Sequence, residues 1–128
     1  MKILSAVLFM LMLATGHAMA TATMSCQADR GITIYIQVGL GEPEVVTGVD
    51  IVTPATHWST YDVEAEQIAI AQAFISNAGL QLDVADSNYE RIIAKVRLVA
   101  AEQGADVAIA GTLEIVDGGV FAIVCEGP

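Results

Sequence analysis

Basic residues are the scarcest charged class in this sequence. The 128-residue chain has only 5 Lys and Arg against 15 Asp and Glu, and its formal net charge at pH 7 is -10. Nucleic-acid binding needs clustered Lys and Arg to neutralise phosphates, and docking on anionic lipid needs the same sign of charge. The shortage of bases argues against both kinds of partner. The charge-based hypothesis that remains is a cationic envelope or secreted protein as the partner.

Long apolar runs are confined to the start of the chain. Lys2 precedes an apolar run from Ile3 to Ala14, and Ala18-Met19-Ala20 has the small residues of an export cleavage site. The run is short of the roughly 20 residues that a membrane-spanning helix needs. We therefore predict a cleaved signal peptide at residues 1–20 and a single exported domain at residues 21–128. This domain would have no membrane span, a net charge of -11 once Lys2 is removed, and a periplasmic or secreted location.

Cysteine is almost absent, since Cys26 and Cys125 are the only two. No C-x-x-C spacing supports a redox pair, and an oxidising compartment favours a disulfide between them. Such a bond requires the two Cα atoms to lie within about 7 Å. The first and last elements of the domain must then be neighbours.

Apolar and polar residues alternate through most of the domain, which is typical of half-buried strands. The alternation is clearest over residues 32–38, 80–84, 107–115 and 120–125, and residues 45–53 form a further β-rich run. Asp117-Gly118-Gly119 predicts a hairpin turn between the last two of these strands.

Two further segments fit either a strand or a helix. Residues 63–77 would be a helix with Asp62 as its N-cap, and residues 88–102 a helix that begins at Ser87. We favour strands for both, which gives about eight strands in all, enough to close a sheet. The predicted fold is all-β: a small antiparallel barrel or sandwich closed by a disulfide between the first and last strands. The alternative is an α+β domain with a helix at 63–77, at 88–102, or at both.

Residues suited to catalysis or to metal binding are few. His57-Trp58-Ser59 contains the only His and the only Trp of residues 21–128, but no nucleophile elbow accompanies it. The acidic stretch from Asp83 to Glu90 lacks the ligand density of a calcium loop. We therefore predict no catalytic residue, no metal and no cofactor, and a protein that is not an enzyme.

One candidate binding surface follows from the same region. It combines Trp58 with the acidic residues Asp62, Glu64 and Glu66. Aromatic residues are enriched at contact surfaces, and a run of carboxylates attracts a cationic partner. The predicted function is a protein-binding or inhibitor-like module with an acidic surface. The alternatives are a structural or envelope-assembly protein that uses exposed strand edges, and a carrier of a small ligand in a barrel interior.

The layout resembles that of small, uncharacterised exported bacterial β-domains. The likeness is carried by Ser25-Cys26-Gln27, by Asp29-Arg30-Gly31, and by the ending from Gly111-Thr112-Leu113 to Val124-Cys125-Glu126-Gly127. In architecture alone, the chain is also similar to the periplasmic inhibitors of c-type lysozyme, which are small disulfide-closed β-barrels. That resemblance implies a barrel and an inhibitory role. The Ser- and Gly-rich inhibitory loop of those inhibitors has no counterpart in this sequence.

Overall fold

The chain folds into nine β-strands joined by short connections. The computed structural model describes residues 21–127, and the predicted signal peptide at residues 1–20 lies outside them. A short 3-10 turn, Asp29–Gly31, joins the first two strands. In chain order the strands are β1 (Thr21–Ala28), β2 (Ile32–Gly39), β3 (Val45–Val52), β4 (His57–Ser59), β5 (Glu66–Ser76), β6 (Gly79–Asp86), β7 (Ile92–Gln103), β8 (Asp106–Ile115) and β9 (Gly119–Glu126).

The nine strands form one closed barrel in sequence order. Neighbouring strands are antiparallel, except that β4 and β5 run parallel over Trp58–Ser59 and Glu66–Gln67. β9 pairs with β1 and closes the sheet. The predicted all-β fold is confirmed, as a barrel. Among the described residues, no helix is long and apolar enough to cross a membrane.

The helical alternative for residues 63–77 and 88–102 is wrong, because these segments contribute β5 and β7. The reason is clearest in β7, where Ala94, Val96 and Leu98 are buried in the barrel. Lys95 and Arg97 alternate with them and lie on the outer wall. A strand separates these two sets because its side chains repeat every two residues, whereas a helix would mix them around its axis.

Aliphatic side chains fill the middle of the barrel. They come from five strands, which each direct alternate residues inward. The fully buried ones are Ile34, Ile36, Val49, Ile51, Leu82, Val84, Val96 and Leu113. Aromatic residues make up only 5% of the chain, so branched aliphatic side chains form most of this core.

The predicted disulfide between Cys26 and Cys125 is confirmed, and it lies inside the barrel. The two cysteines face each other in the β1–β9 ladder, with Cα atoms 3.9 Å apart and sulfur atoms 2.00 Å apart. Both are buried. The ladder that they cross is short, since it runs only from Ser25 to Ala28 along β1. The disulfide therefore fixes the seam at which the barrel closes.

The sequence pattern predicts no strand at His57-Trp58-Ser59, but the structure has one there. These residues form β4, which brings the number of strands from the predicted eight to nine and pairs with β3 on one side and with β5 on the other. Three residues are too few to show an alternating pattern. Trp58 faces Ile51 across the ladder and packs, half-buried, against the core.

The two ends of the barrel are built differently. At the end called lower here, Trp58 packs beside the end of β3. The end called upper includes the last residues of β5, β7 and β9. There the β7–β8 hairpin projects past its neighbour, because Val99 is the last β7 residue paired with β6 while β7 continues to Gln103. The upper end therefore has an uneven rim.

Removal of the disulfide is expected to destabilise the barrel. The Cys26→Ala/Cys125→Ala variant should lose about 4 kcal/mol of unfolding free energy, because the unfolded chain is no longer closed into a long loop. Urea denaturation measures the change. Val124→Ala, an exposed outer-wall position next to Cys125, is the control and should shift stability by about 0.5 kcal/mol or less. A double variant as stable as the wild type would contradict the prediction.

Candidate binding site at the upper end of the barrel

A cavity of about 470 Å³ opens at the upper end of the barrel. Its apolar lining comes from seven strands and includes Met24, Val38, Ile75, Leu80, Leu98, Ile109 and Cys125. The volume falls in the range of roughly 300–1,000 Å³ typical of ligand pockets. The upper end can therefore receive a small molecule or a side chain of a partner protein.

The cavity lies where the barrel wall continues upward but the side chains that point into the barrel become small. Ala100 of β7 and Val107 of β8 line its upper part, on the hairpin that projects past β6. Ala100 faces Ile109 across the ladder, and Val107 faces Glu102. An alanine at an inward position of a barrel this wide leaves space that no neighbour fills.

Three carboxylates stand at the rim of the cavity. Glu44 lies in the β2–β3 connection, Glu102 near the end of β7, and Glu126 at the end of β9, and all three line the cavity and are exposed. Among the described residues, no Lys, Arg or His shares the lining with them. Cleavage after Ala20 would add one α-amino charge at Thr21, which also lies at this end. The rim would still carry an excess of negative charge.

The bases of the described residues lie elsewhere. Each lies against another group on the outer wall or near the lower end. Arg30 lies 5.9 Å from the centre of the Phe121 ring, and Lys95 is opposite Asp83 and Glu114 in the ladders. Arg91 Nε is 3.9 Å from Asp86 Oδ2, and Arg97 Nη2 is 2.8 Å from Asp83 Oδ1. Three of them, Arg91, Arg97 and Lys95, thus lie beside acidic residues, whereas none of these four bases lines the cavity with the rim carboxylates.

A second polar cluster lies where β3 and β4 meet the following loop. His57 Nε2 is 2.6 Å from Oδ1 of the buried Asp50. The backbone N–H groups of Tyr61 and Asp62 donate to Ser59 Oγ at 3.2 and 3.0 Å. Desolvation by burial raises the pKa of Tyr61, and the carboxylates of Asp50 and Asp62 raise it further. The fully buried Ser59 holds the loop against the barrel wall.

The predicted surface of Trp58, Asp62, Glu64 and Glu66, called the β4–β5 surface below, is brought together by β4 and its connection to β5. Trp58 faces Glu66 in the parallel ladder. Asp62 Oδ1 accepts a hydrogen bond from the Glu64 backbone N–H at 3.0 Å, while Glu64 and Glu66 are exposed. Trp58 contributes partly to the core, so much of its ring is used in packing. The binding role of this surface stays a prediction.

Comparison with family models, with curated proteins and with solved structures found no match to this chain. The resemblance to small exported β-domains is therefore supported at the level of architecture, by a barrel whose first and last strands carry the disulfide. The function of the protein is therefore inferred from the chemistry of the site itself.

Sequence reasoning did not single out Glu44, Glu102 or Glu126. They are far apart in the chain, and each lies near a turn or a strand end, where an acidic residue is unremarkable. An available signal was the up-and-down order of the strands, since alternate turns of such a sheet meet at the same end. That order depends on residues 63–77 and 88–102 being strands, which the sequence left open.

Tyr61→Phe is expected to reduce the loss of stability at alkaline pH. The pKa of Tyr61 is raised above its ordinary value of 10.0 in the folded protein. The folded state therefore binds this proton more tightly than the unfolded state does, and stability falls as the pH rises through the ordinary value towards the raised one. Phenylalanine cannot ionise, so this contribution disappears.

The test compares urea unfolding midpoints at about pH 9 and about pH 11 for the wild type and the variant. The wild-type midpoint should fall more than that of Tyr61→Phe. Tyr89→Phe, at an exposed tyrosine in the β6–β7 turn, is the matched control. Equal pH dependence in the wild type and Tyr61→Phe would show that the Tyr61 hydroxyl does not contribute.

Proposed function

We propose that this protein is a non-enzymatic, periplasmic or secreted binding module that engages a cationic protein at the upper end of its barrel. The observation that carries the proposal is the cavity there. Its apolar floor is surrounded by Glu44, Glu102 and Glu126, with no basic side chain in the lining among the described residues.

An apolar centre inside a charged rim matches the usual anatomy of a protein interface. The apolar centre supplies affinity through burial, while the rim stays solvated and selects the sign of the partner's charge. The three glutamates also raise the local concentration of a cationic partner by long-range attraction, because no basic side chain of residues 21–127 shares the cavity lining with them. The net charge of -10 acts in the same direction over the whole surface.

The oxidised cysteine pair supports an extracytoplasmic site of action. A disulfide buried at the closing seam of the barrel is typical of proteins that fold in an oxidising compartment. Together with the export signal predicted for residues 1–20, it supports a partner among envelope or secreted proteins. The architectural resemblance to inhibitors of c-type lysozyme makes such a lysozyme a suitable basic probe.

The test measures binding of a c-type lysozyme to the domain of residues 21–128 by calorimetry at low ionic strength. The Glu44→Gln/Glu102→Gln/Glu126→Gln variant is expected to bind about tenfold more weakly than the wild type, because three rim charges are lost. Lysozyme with its lysines succinylated should not bind. Raising the salt to about 0.15 M should weaken the wild-type complex, because exposed charges are screened.

The matched control removes three charges from the β4–β5 surface instead. Asp62→Asn/Glu64→Gln/Glu66→Gln changes the net charge by the same amount and should leave the affinity within about twofold of wild type. Equal losses in both triple variants would indicate attraction by net charge alone, and a loss confined to the control would place the contact on the β4–β5 surface. Either result, or no binding at all, overturns the proposed site.

A further inference from the structure

The upper part of β5 is a strand edge without a partner. β5 is paired with β6 along its length, but with β4 only at Glu66 and Gln67. Ser59, which faces Gln67, in turn faces Asp50 of β3. Asp50, Ser59 and Gln67 thus form one row across the three strands. Above this row β5 continues for nine residues to Ser76, whereas β3 has only five residues, from Val45 to Val49. The last residues of β5 therefore extend past the start of β3, and no described strand pairs with their second edge.

This edge has none of the usual protection against strand addition. Exposed edges are normally blocked by Lys, Pro, inward-pointing charges or a covering segment. Residues 68–76 contain no charged residue and no proline. The one irregularity lies between Ile70 and Gln72, below the projecting part. Ala73, Phe74 and Ser76 are exposed, and Phe74 reaches 63%. Among the described residues, no ladder and no other backbone hydrogen bond uses the second edge of residues 73–76.

The free edge lies beside the cavity. Ile75 and Ser76 of β5 line one side of the cavity, and Glu44 lines the side of the β2–β3 connection. A segment placed along the free edge would thus direct alternate side chains into the cavity and towards its rim. Side chains on one face of a strand repeat every two residues, about 6.6 Å apart. An apolar side chain in the cavity therefore has its next same-face neighbour about 6.6 Å nearer the rim, on which the three carboxylates lie.

We infer that the partner binds as an added β-strand on β5, through an extended segment in which an apolar residue has Lys or Arg two positions away on the same face. The apolar side chain enters the cavity among Leu80, Leu98 and Ile109. The basic side chains pair with Glu44, Glu102 and Glu126. This inference rests on the proposed function, because it specifies how the cationic partner occupies the same site. Main-chain hydrogen bonds supply affinity in this mode, and the alternate side chains supply specificity.

The first experiment uses two peptides of identical composition. Acetyl-Thr-Lys-Thr-Phe-Thr-Lys-Thr-amide places Phe and both Lys on one face of a strand, in either strand direction. Acetyl-Lys-Thr-Thr-Phe-Thr-Thr-Lys-amide places Phe and the Lys residues on opposite faces. The first peptide is expected to bind at least about tenfold more tightly, since only it can place Phe in the cavity and Lys beside a rim carboxylate at the same time. Equal affinities would overturn the inference.

Methylation of the peptide backbone tests the added strand directly. The backbone N–H groups of an edge strand point alternately towards and away from its neighbour. N-methylation of the first peptide at its even positions or at its odd positions removes one set at a time. One methylated peptide should bind about tenfold more weakly than the parent, and the other should bind much as the parent does. Two methylated peptides with the parent affinity would exclude a ladder with β5.

The cavity is tested by filling it. Ala100→Phe places a ring in the lining, whereas Ala110→Phe places the same ring at an exposed position on the outer wall of the neighbouring strand. Ala100→Phe should reduce peptide affinity about tenfold and Ala110→Phe should leave it unchanged. Circular dichroism and urea unfolding establish that both variants are folded. If Ala100→Phe is folded and binds as the wild type does, the apolar side chain does not enter the cavity.

The two proposals can fail separately. Lysozyme binding could depend on the three rim glutamates while the two peptides bind equally and methylation has no effect. In that case the cationic partner binds at the rim without an added strand. If the rim variant binds lysozyme as tightly as the wild type does, the proposed function itself is wrong, whatever the peptides show.

Discussion

The pairing of β9 with β1 is the constraint on which the rest of the structure depends. It joins the two ends of the sheet, so every strand acquires an inner and an outer face and the alternation of apolar residues has a single interior to fill. The seam is short, since β1 pairs with β9 only from Ser25 onward but with β2 from Thr21. The buried Cys26–Cys125 bond lies within this seam and holds it by a covalent link. A long ladder is therefore not needed there, and the ends of β1 and β9 are free to form part of an open rim.

The barrel has a second weak seam at β4. This strand of three residues is the only ladder connection between β3 and β5 in the described part of the chain, and its parallel pairing with β5 covers two residues. The lower half of the wall is closed there by Trp58 against the core, while the upper half is not closed by any ladder. The free edge of β5 follows from β4 ending before the wall reaches its full height, and Ile75 and Ser76 beside that edge also line the cavity.

Much of the fold follows from sequence patterns, and the parts that do not have physical reasons. The alternation in β2 and β7 needs only the period of a strand, and the pairing of Cys26 with Cys125 needs only that two cysteines share an oxidising compartment. β4 could not be predicted, because His57-Trp58-Ser59 is too short to have a period and its pairing with β5 is parallel. The site escapes prediction for a different reason. β4 runs parallel to β5 and adds no reversal of direction, so an up-and-down sheet of eight strands already places Glu44, Glu102 and Glu126 at one end. The cavity beside them depends on how side chains of different strands fill the barrel, which no local pattern encodes.

The charge asymmetry of the barrel follows from the register of β7. Lys95 and Arg97 occupy outward positions of this strand, beside Asp83 of β6, and Lys95 also faces Glu114 of β8. Lys95, Arg97 and Arg91 thus lie beside acidic residues of the outer wall and of the β6–β7 turn. Further up the same strand, Glu102 lies at the rim, where none of these bases shares the cavity lining with it, Glu44 and Glu126. The proposed cationic partner would supply at the rim the opposite charge that these bases supply on the outer wall.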